Sequence, residues 1–268
     1  MQLRIIESIS ELRKKASAWD DLWARSDSTL PTHRAELIAQ WVEYFADNKP
    51  FTALVVEDEG QLVAALPLIA RQKFGLRFAS LTSNCWSDCG SLLQDANSGQ
   101  KAVELLAQGE KQLGLPLIMF DGIDLESPAW NVWRQARTEQ GEPTVKPKYR
   151  VGLIDITHDW EAYVAAWSAN HRRAIKKLRK ALATAGDVEL VALSSLPTDA
   201  VEPLLHQAFE IEDKGWKGRE GSSVLRTPGA FDFFLRQAQQ LSTWNQFELY
   251  FLNLNGQPIA FDFCYWCK

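Results

Sequence analysis

The run with the clearest chemical potential is Ser168–Leu182, SANHRRAIKKLRKAL, where six of the nine residues from Arg172 to Lys180 are basic and none is acidic. At about 100° per residue, Arg172, Arg173, Lys176, Lys177, Arg179 and Lys180 fall within an arc of roughly 160°. Ala174, Ile175, Leu178, Ala181, Leu182 and Ala185 take the opposite side. Ser168 and Asn170 are good N-caps and Gly186 is a good stop, so the spacing predicts an amphipathic helix with one basic face. Such a face is either a solvated surface or an anion site, for the phosphates of a nucleotide-bearing cofactor, a tRNA or a lipid headgroup. The chain as a whole carries a formal net charge of -5, and that contrast favours the anion site.

The other residues with chemical reach are four cysteines, Cys85, Cys89, Cys264 and Cys267. Two close pairs raise the question of zinc. An offset of three along a strand sends Cys264 and Cys267 to opposite faces, and no Gly or Pro lies between them to make a turn. Buried reduced thiols are the better expectation, and no metal is expected. The four histidines include no close pair, and no Walker loop, HExxH or dinucleotide fingerprint occurs.

These residues need a scaffold, and 268 residues allow two ordinary domains or one large one. A hydrophobic fraction of 46% predicts a folded globular protein, with eleven Trp and thirteen Phe for the core and for a stacking or acyl-binding cleft. A pI near 5.5 argues against general nucleic-acid binding, so no DNA partner is expected. No apolar run approaches a membrane span, the first residues do not read as a signal peptide, and the cytoplasm is the expected location.

In order, the pattern predicts a strand at Leu3–Ile6, a helix at Ile9–Arg25, and a second helix capped by Thr32 with Leu37, Trp41 and Phe45 inward. A hairpin follows, Phe51–Glu57 and Gln61–Arg71 around Asp58-Glu59-Gly60, with a bulge or edge at Pro67. Strands at Arg77–Leu81 and Ser91–Leu93 flank the loop SNCWSDCG. Then come a helix at Gln100–Leu113, a buried strand at Leu117–Gly122, a helix at Trp130–Gln140 and a strand at Val151–Asp155. The order then partly restarts. Helix Glu161–Trp167 leads into the basic helix, then strand Val188–Ala192 and helix Asp199–Asp213. The loop GWKGREGSS, helix Gly229–Leu241 capped by Thr227, and a hairpin of Phe247–Leu254 with Pro258–Trp266 around Asn255-Gly256 complete it. The two halves share a scheme, which predicts α/β (α+β) modules at 1–147 and 148–268, each a mixed, mostly antiparallel sheet flanked by helices.

That order resembles the GNAT N-acetyltransferase fold, and two modules in tandem resemble the FemAB-like group. Within it the chain is similar to the CelD/BcsL family, acetyltransferase-like proteins linked to bacterial cellulose and exopolysaccharide production. The resemblance rests on Trp19–Trp23 with Pro31 and Trp41, and on Asn84–Leu93 as an Asp-centred turn and strand. It rests equally on Ser168, Arg172 and Arg173, on Glu210, Glu212, Trp216, Lys217 and Gly218, and on Gly256–Ala260. It implies acetyl-CoA or another acyl-CoA as co-substrate, an amine or hydroxyl acceptor, and polysaccharide-synthesis proteins as partners.

Under that resemblance, Arg172, Arg173 and Lys176 are the expected cofactor-binding residues. Glu210 and Glu212 are the expected general bases, against the simpler reading of solvated helix carboxylates. Trp216, Lys217 and His171 are the expected substrate contacts, against a loop anchor, a surface cation and a helix-terminus residue. The second module is expected to be incomplete, because the fourth strand and the glycine-bearing phosphate turn of a GNAT module do not occur before Lys268. Two other readings stand beside this one: a FemAB-like aminoacyl transferase using aminoacyl-tRNA, and a truncated, inactive binding module with an exposed edge at Phe261–Trp266.

Overall fold

A computed structural model describes residues 1–138, 141, 143–148, 150, 152, 154, 157 and 159–267. The described chain is mixed α/β and divides into two units. One is Met1–Lys146 with Asp232–Leu241 and the residues from Trp266; the other is Pro147–Phe231 with Ser242–Tyr265.

The first unit opens with β1 (Gln2–Ile6) and then α1 (Ile9–Lys14) and α2 (Ala16–Arg25), where a single helix was expected. The break falls at Lys15, whose φ of -99° and ψ of 11° interrupt the helical run. Ser8 caps α1 by accepting the Glu11 N–H. Thr32 is not the cap of α3 (Ala35–Phe45). It lies in a 3-10 turn, Pro31–His33, and Arg34 holds the cap position without a side-chain bond.

The sheet continues with β2 (Phe51–Asp58), β3 (Gln61–Lys73), β4 (Leu76–Ser80), β5 (Leu93–Gln94) and, after α4 (Lys101–Gly109), β6 (Leu117–Ile118). The order is β1-β2-β3-β4-β6, with β5 beside β3; all pairs are antiparallel except β4 with β6. The expected buried strand at Leu117–Gly122 is only two residues long, and Leu117 is 48% exposed. The helix expected at Trp130–Gln140 is α5 (Pro128–Thr138); Gln140 lies outside the described residues, as does much of the strand expected at Val151–Asp155.

Both faces of the central strands are covered, so β2 and β3 read as continuous apolar runs. Phe51, Ala53, Val55, Ala65 and Ile69 face the cluster built with Trp19, Leu22, Ile38 and Trp41. Leu54, Val56, Ala64, Leu66 and Leu68 face the cluster of Leu106, Trp130 and Trp133. The register shift in this hairpin is at Val56/Glu57, away from Pro67. Pro67 is tolerated because it falls between the stretch of β3 that pairs β5 and the stretch that pairs β4 from Ile69. Its missing N–H therefore breaks no ladder on that side.

The second unit begins with α6 (Trp160–Ala166) and α7 (Ala169–Ala185), followed by β7 (Val188–Ser194) and α8 (Thr198–Asp213). The stretch expected as the loop GWKGREGSS contains a short helix, α9 (Trp216–Arg219). The next helix, α10 (Ala230–Thr243), starts after Gly229 at φ 74°. Thr227 spends its hydroxyl on the Ser223 carbonyl. The middle of α10 belongs to the first unit, where Phe233 packs edge-on against Tyr44 and Phe45. β8 (Phe247–Leu254) and β9 (Gln257–Tyr265) complete an antiparallel three-stranded sheet, β7-β8-β9. Phe247, Leu249 and Phe251 point to its buried face, and Phe209 of α8 meets Phe261 there edge to face at 5.8 Å. All four cysteines are free thiols, but only Cys89 is buried; Cys264 is half-buried and Cys85 and Cys267 are exposed, where burial was expected.

Candidate functional site

The basic helix forms where expected. Ser168 caps α7 by accepting the His171 N–H at 3.2 Å, and Gly186 ends it. No residue of α7 is buried, and Leu178 on its apolar side is 60% exposed. The charges are placed against the helix's own interest. A helix macrodipole favours anions at the N-terminus and cations at the C-terminus, by about 0.3–1 kcal/mol each. Here the first turn holds no acidic residue, the last turn holds no basic one, and Arg172 and Arg173 stand just behind the N-terminal turn. The positive end of the dipole and the side-chain cations therefore add, which is the arrangement that attracts an external anion.

The three expected anion-binding cations are not equivalent. Arg172 is committed locally: its Nη1 donates to the carbonyls of Ala165 and Trp167 and so ties the end of α6 to the start of α7. Arg173 donates a 3.3 Å bond to Asn170, and its side chain, like that of Lys176, is exposed. His171 packs edge-on against Trp167 at 4.6 Å, in a cluster with Trp160 and Tyr163. Its position is that of a helix-terminus residue.

The two carboxylates separate just as clearly. Glu212 is part of the fold. Its Oε1 pairs with Lys217 Nζ at 2.5 Å, and its Oε2 accepts the Val224 N–H at 2.8 Å. Taking a proton from a substrate would mean giving up one of those bonds. Lys217, expected at a substrate, is the cation that Glu212 holds. Beside it, Asp213 accepts from Arg226 Nε at 2.7 Å and from Ser223 Oγ at 2.6 Å, which holds its pKa below the ordinary value. These two carboxylates fold the segment after α8 back on its end. Gly218 is required there, because a Cβ would stand 1.7 Å from the Asp213 carbonyl oxygen. Glu210, by contrast, is half exposed and has His206 Nδ1 one turn back at 3.3 Å. Trp216 is 59% exposed and does not serve as a buried anchor.

The first unit holds a polar cluster that no sequence pattern joins. Ser28 and His33, five residues apart, meet at 2.7 Å, and Asp88, 55 residues beyond His33, comes within 4.0 Å of its ring. Only Asp88 carried a signal, as the centre of the SNCWSDCG turn.

With the geometry in place, residues 169–268 match the family model described as Acetyltransferase (GNAT) domain, starting at the first residue of α7. That stretch, 100 of the 268 residues, is therefore similar to GNAT acetyltransferase domains. No curated protein matches the chain. Solved structures similar to it include ribosomal-protein-alanine N-acetyltransferase from Brucella melitensis biovar Abortus 2308, at 12% identity, with 57% of this chain and 100% of that one covered and a TM-score of 0.34. Glucosamine-6-phosphate N-acetyltransferase from Arabidopsis thaliana is 16% identical over 58% of this chain and 100% of that one, with a TM-score of 0.33. The aminoglycoside acetyltransferase meta-AAC0020 from an uncultured soil metagenomic sample is 17% identical over 56% and 97%, with a TM-score of 0.34. Among the described residues no group of His, Cys, Asp and Glu could hold a metal ion, and no helix is long and apolar enough to cross a membrane.

Proposed function

We propose that this protein is an acyl-CoA-dependent N- or O-acyltransferase of CelD/BcsL type, acting in bacterial exopolysaccharide or cellulose production, with tandem modules at 1–147 and 148–268. The observation that carries the reading is the match of residues 169–268 to the GNAT acetyltransferase domain. Acyl-CoA, when bound, supplies an activated thioester. The fit between this chain and that molecule is one of charge: Arg173 and Lys176, with Lys177 and Lys180 on the same face, hold its phosphates. Arg172 supports them by fixing the start of α7. Glu210 is the favoured base of the two carboxylates, because Glu212 is engaged on both oxygens.

The test is acyl-CoA titration of the full chain and of Arg173→Ala/Lys176→Ala. The double variant leaves the α6–α7 link intact, so its melting temperature should match the wild type while affinity falls about tenfold or more. Equal affinity would remove α7 from the cofactor site. The same basic face also supports a second reading, aminoacyl transfer from aminoacyl-tRNA. A steep loss of RNA binding with salt, well beyond that for acyl-CoA, would favour it.

A further inference from the structure

We propose that the first unit carries a binding site of its own for the hydroxyl group of a small alcohol, held between His33 Nε2 and Asp88 Oδ1. The site is independent of the acyltransferase reading.

His33 ends the 3-10 turn Pro31–His33 and is 6% exposed. Its backbone is fixed on both sides: the N–H donates to the Leu30 carbonyl at 3.1 Å, and the carbonyl accepts Trp19 Nε1 at 3.0 Å. On the ring, Nδ1 lies 2.7 Å from Ser28 Oγ. Nε2 is buried and has no hydrogen-bond partner among the described residues. A buried polar atom in that state is costly, by about 1–3 kcal/mol, and needs an explanation. It faces Asp88 Oδ1 at 4.0 Å. That gap is too long for a direct bond. One oxygen placed about 2.8 Å from both atoms would subtend an angle of roughly 90° between them, so the gap accommodates a single bridging group.

The carboxylate side of the gap is held by a stiff loop. Asn84 Oδ1 accepts the N–H groups of Trp86 at 2.9 Å and Ser87 at 3.1 Å. Thr82 Oγ1 donates to the Cys89 carbonyl at 2.7 Å, and the Cys89 N–H returns to the Thr82 carbonyl at 3.2 Å. Gly90 permits this closure, because a Cβ there would stand 2.1 Å from Thr82 Oγ1. The Asp88 side chain remains 53% exposed, which leaves an approach from solvent. The site is therefore fixed on the His33 side and open on the Asp88 side.

The chemistry selects the ligand class. Burial raises the Asp88 pKa to about 6, and above that pH its carboxylate is ionised and only accepts. We take the tautomer in which the Ser28 hydroxyl, 2.7 Å from Nδ1, donates to it; Nε2 then carries the proton and donates. A hydroxyl oxygen accepts from Nε2–H and gives its own proton to Asp88, completing the chain Ser28, His33, ligand, Asp88. An ammonium offers only donors and would meet Nε2–H head-on. Burial keeps the imidazole neutral, with its pKa lowered to about 4, so no charge stands against this arrangement.

The test is long-range proton–nitrogen NMR of the full chain, which contains four histidines, titrated with ethanol, glycerol and ethylammonium chloride. Expected are an Nε2–H tautomer for His33 and a saturable shift of its Nε2 with both alcohols but not with the amine. Asp88→Asn should weaken that response about tenfold, with the other histidine signals unmoved. No saturable shift from either alcohol on the folded wild-type chain would mean that the gap holds only water, and would overturn the proposal without any variant. An equal response to the amine, or an undiminished one in Asp88→Asn, would overturn it too.

Discussion

Glu110 offers a direct test of how burial and charge compete in this fold. It opens the 3-10 turn after α4 and is 3% exposed. Its Oε1 accepts Trp133 Nε1 at 2.9 Å, and Arg137 Nε stands 3.3 Å from Oε2. Burial raises its pKa to about 7, against the opposing pull of Arg137 and Trp133. A folded pKa raised above the unfolded one means that the folded state binds more protons between the two values. The associated stability is fully present below the ordinary value of 4.5 and is lost as pH rises through 7. That interval corresponds to about 3 kcal/mol at most. Glu110→Gln removes the titration. The measurement is urea unfolding of wild type and variant at pH 5, 6, 7 and 8, the subtraction cancelling every other titrating group. We expect the variant to gain on the wild type by about 2–3 kcal/mol from pH 5 to pH 8. Parallel profiles would refute the reasoning, and a wild type that gains with pH would mean that the Arg137 pair, not burial, decides the charge on Glu110.

Other consequences are as direct. Gly218→Ala places a methyl group against the Asp213 backbone, which no rotamer can relieve; about 3 kcal/mol or more of local stability should be lost, read as early proteolysis of the segment after α8. Arg13 bridges Glu36 at 2.8 Å and Glu43 at 2.5 Å, and its hydrogen bond is the main reason that the Glu43 pKa is lowered. Arg13→Met should therefore cost about 1–2 kcal/mol at neutral pH, discounted for solvent access to all three groups. The cost should shrink as pH falls below about 4.5 and Glu43 protonates in both states, as denaturation at pH 7 and pH 3 would show. Breaking the Glu212–Lys217 pair by Lys217→Met should loosen the same segment as Gly218→Ala without altering acyl-CoA affinity, measured by titration; lost affinity would return Lys217 to the site.

Much of this protein is local in origin, and the local part is legible in the sequence. The basic helix could be placed to within a residue because its period, its Ser168 cap and its Gly186 stop all lie inside one stretch. The hairpins at Glu59-Gly60 and Asn255-Gly256 follow from turn residues that adopt positive φ. Strands β2 and β3 were visible as apolar runs, since a strand covered on both faces has no polar alternation to disguise it. Local rules failed at two places in the first unit. The break at Lys15 divides a helix whose apolar pattern runs straight through it. The short β6 is set by its partner β4, not by the apolar run that contains it.

The site shows the same division with more consequence. Sequence marked Glu212 and Lys217 as reactive groups, and only the folded chain reveals that they neutralise each other. It marked Arg172, Arg173 and Lys176 as one set, and the fold commits Arg172 to two carbonyls of the preceding turn. It gave no reason to associate Ser28 and His33 with Asp88, because no periodicity links residues across more than fifty positions. A pattern along the chain records which face a residue occupies. Which charges cancel, and which buried atom is left without a partner, depend on through-space distances of a few ångströms, and those exist only after the sheet and its loops have closed.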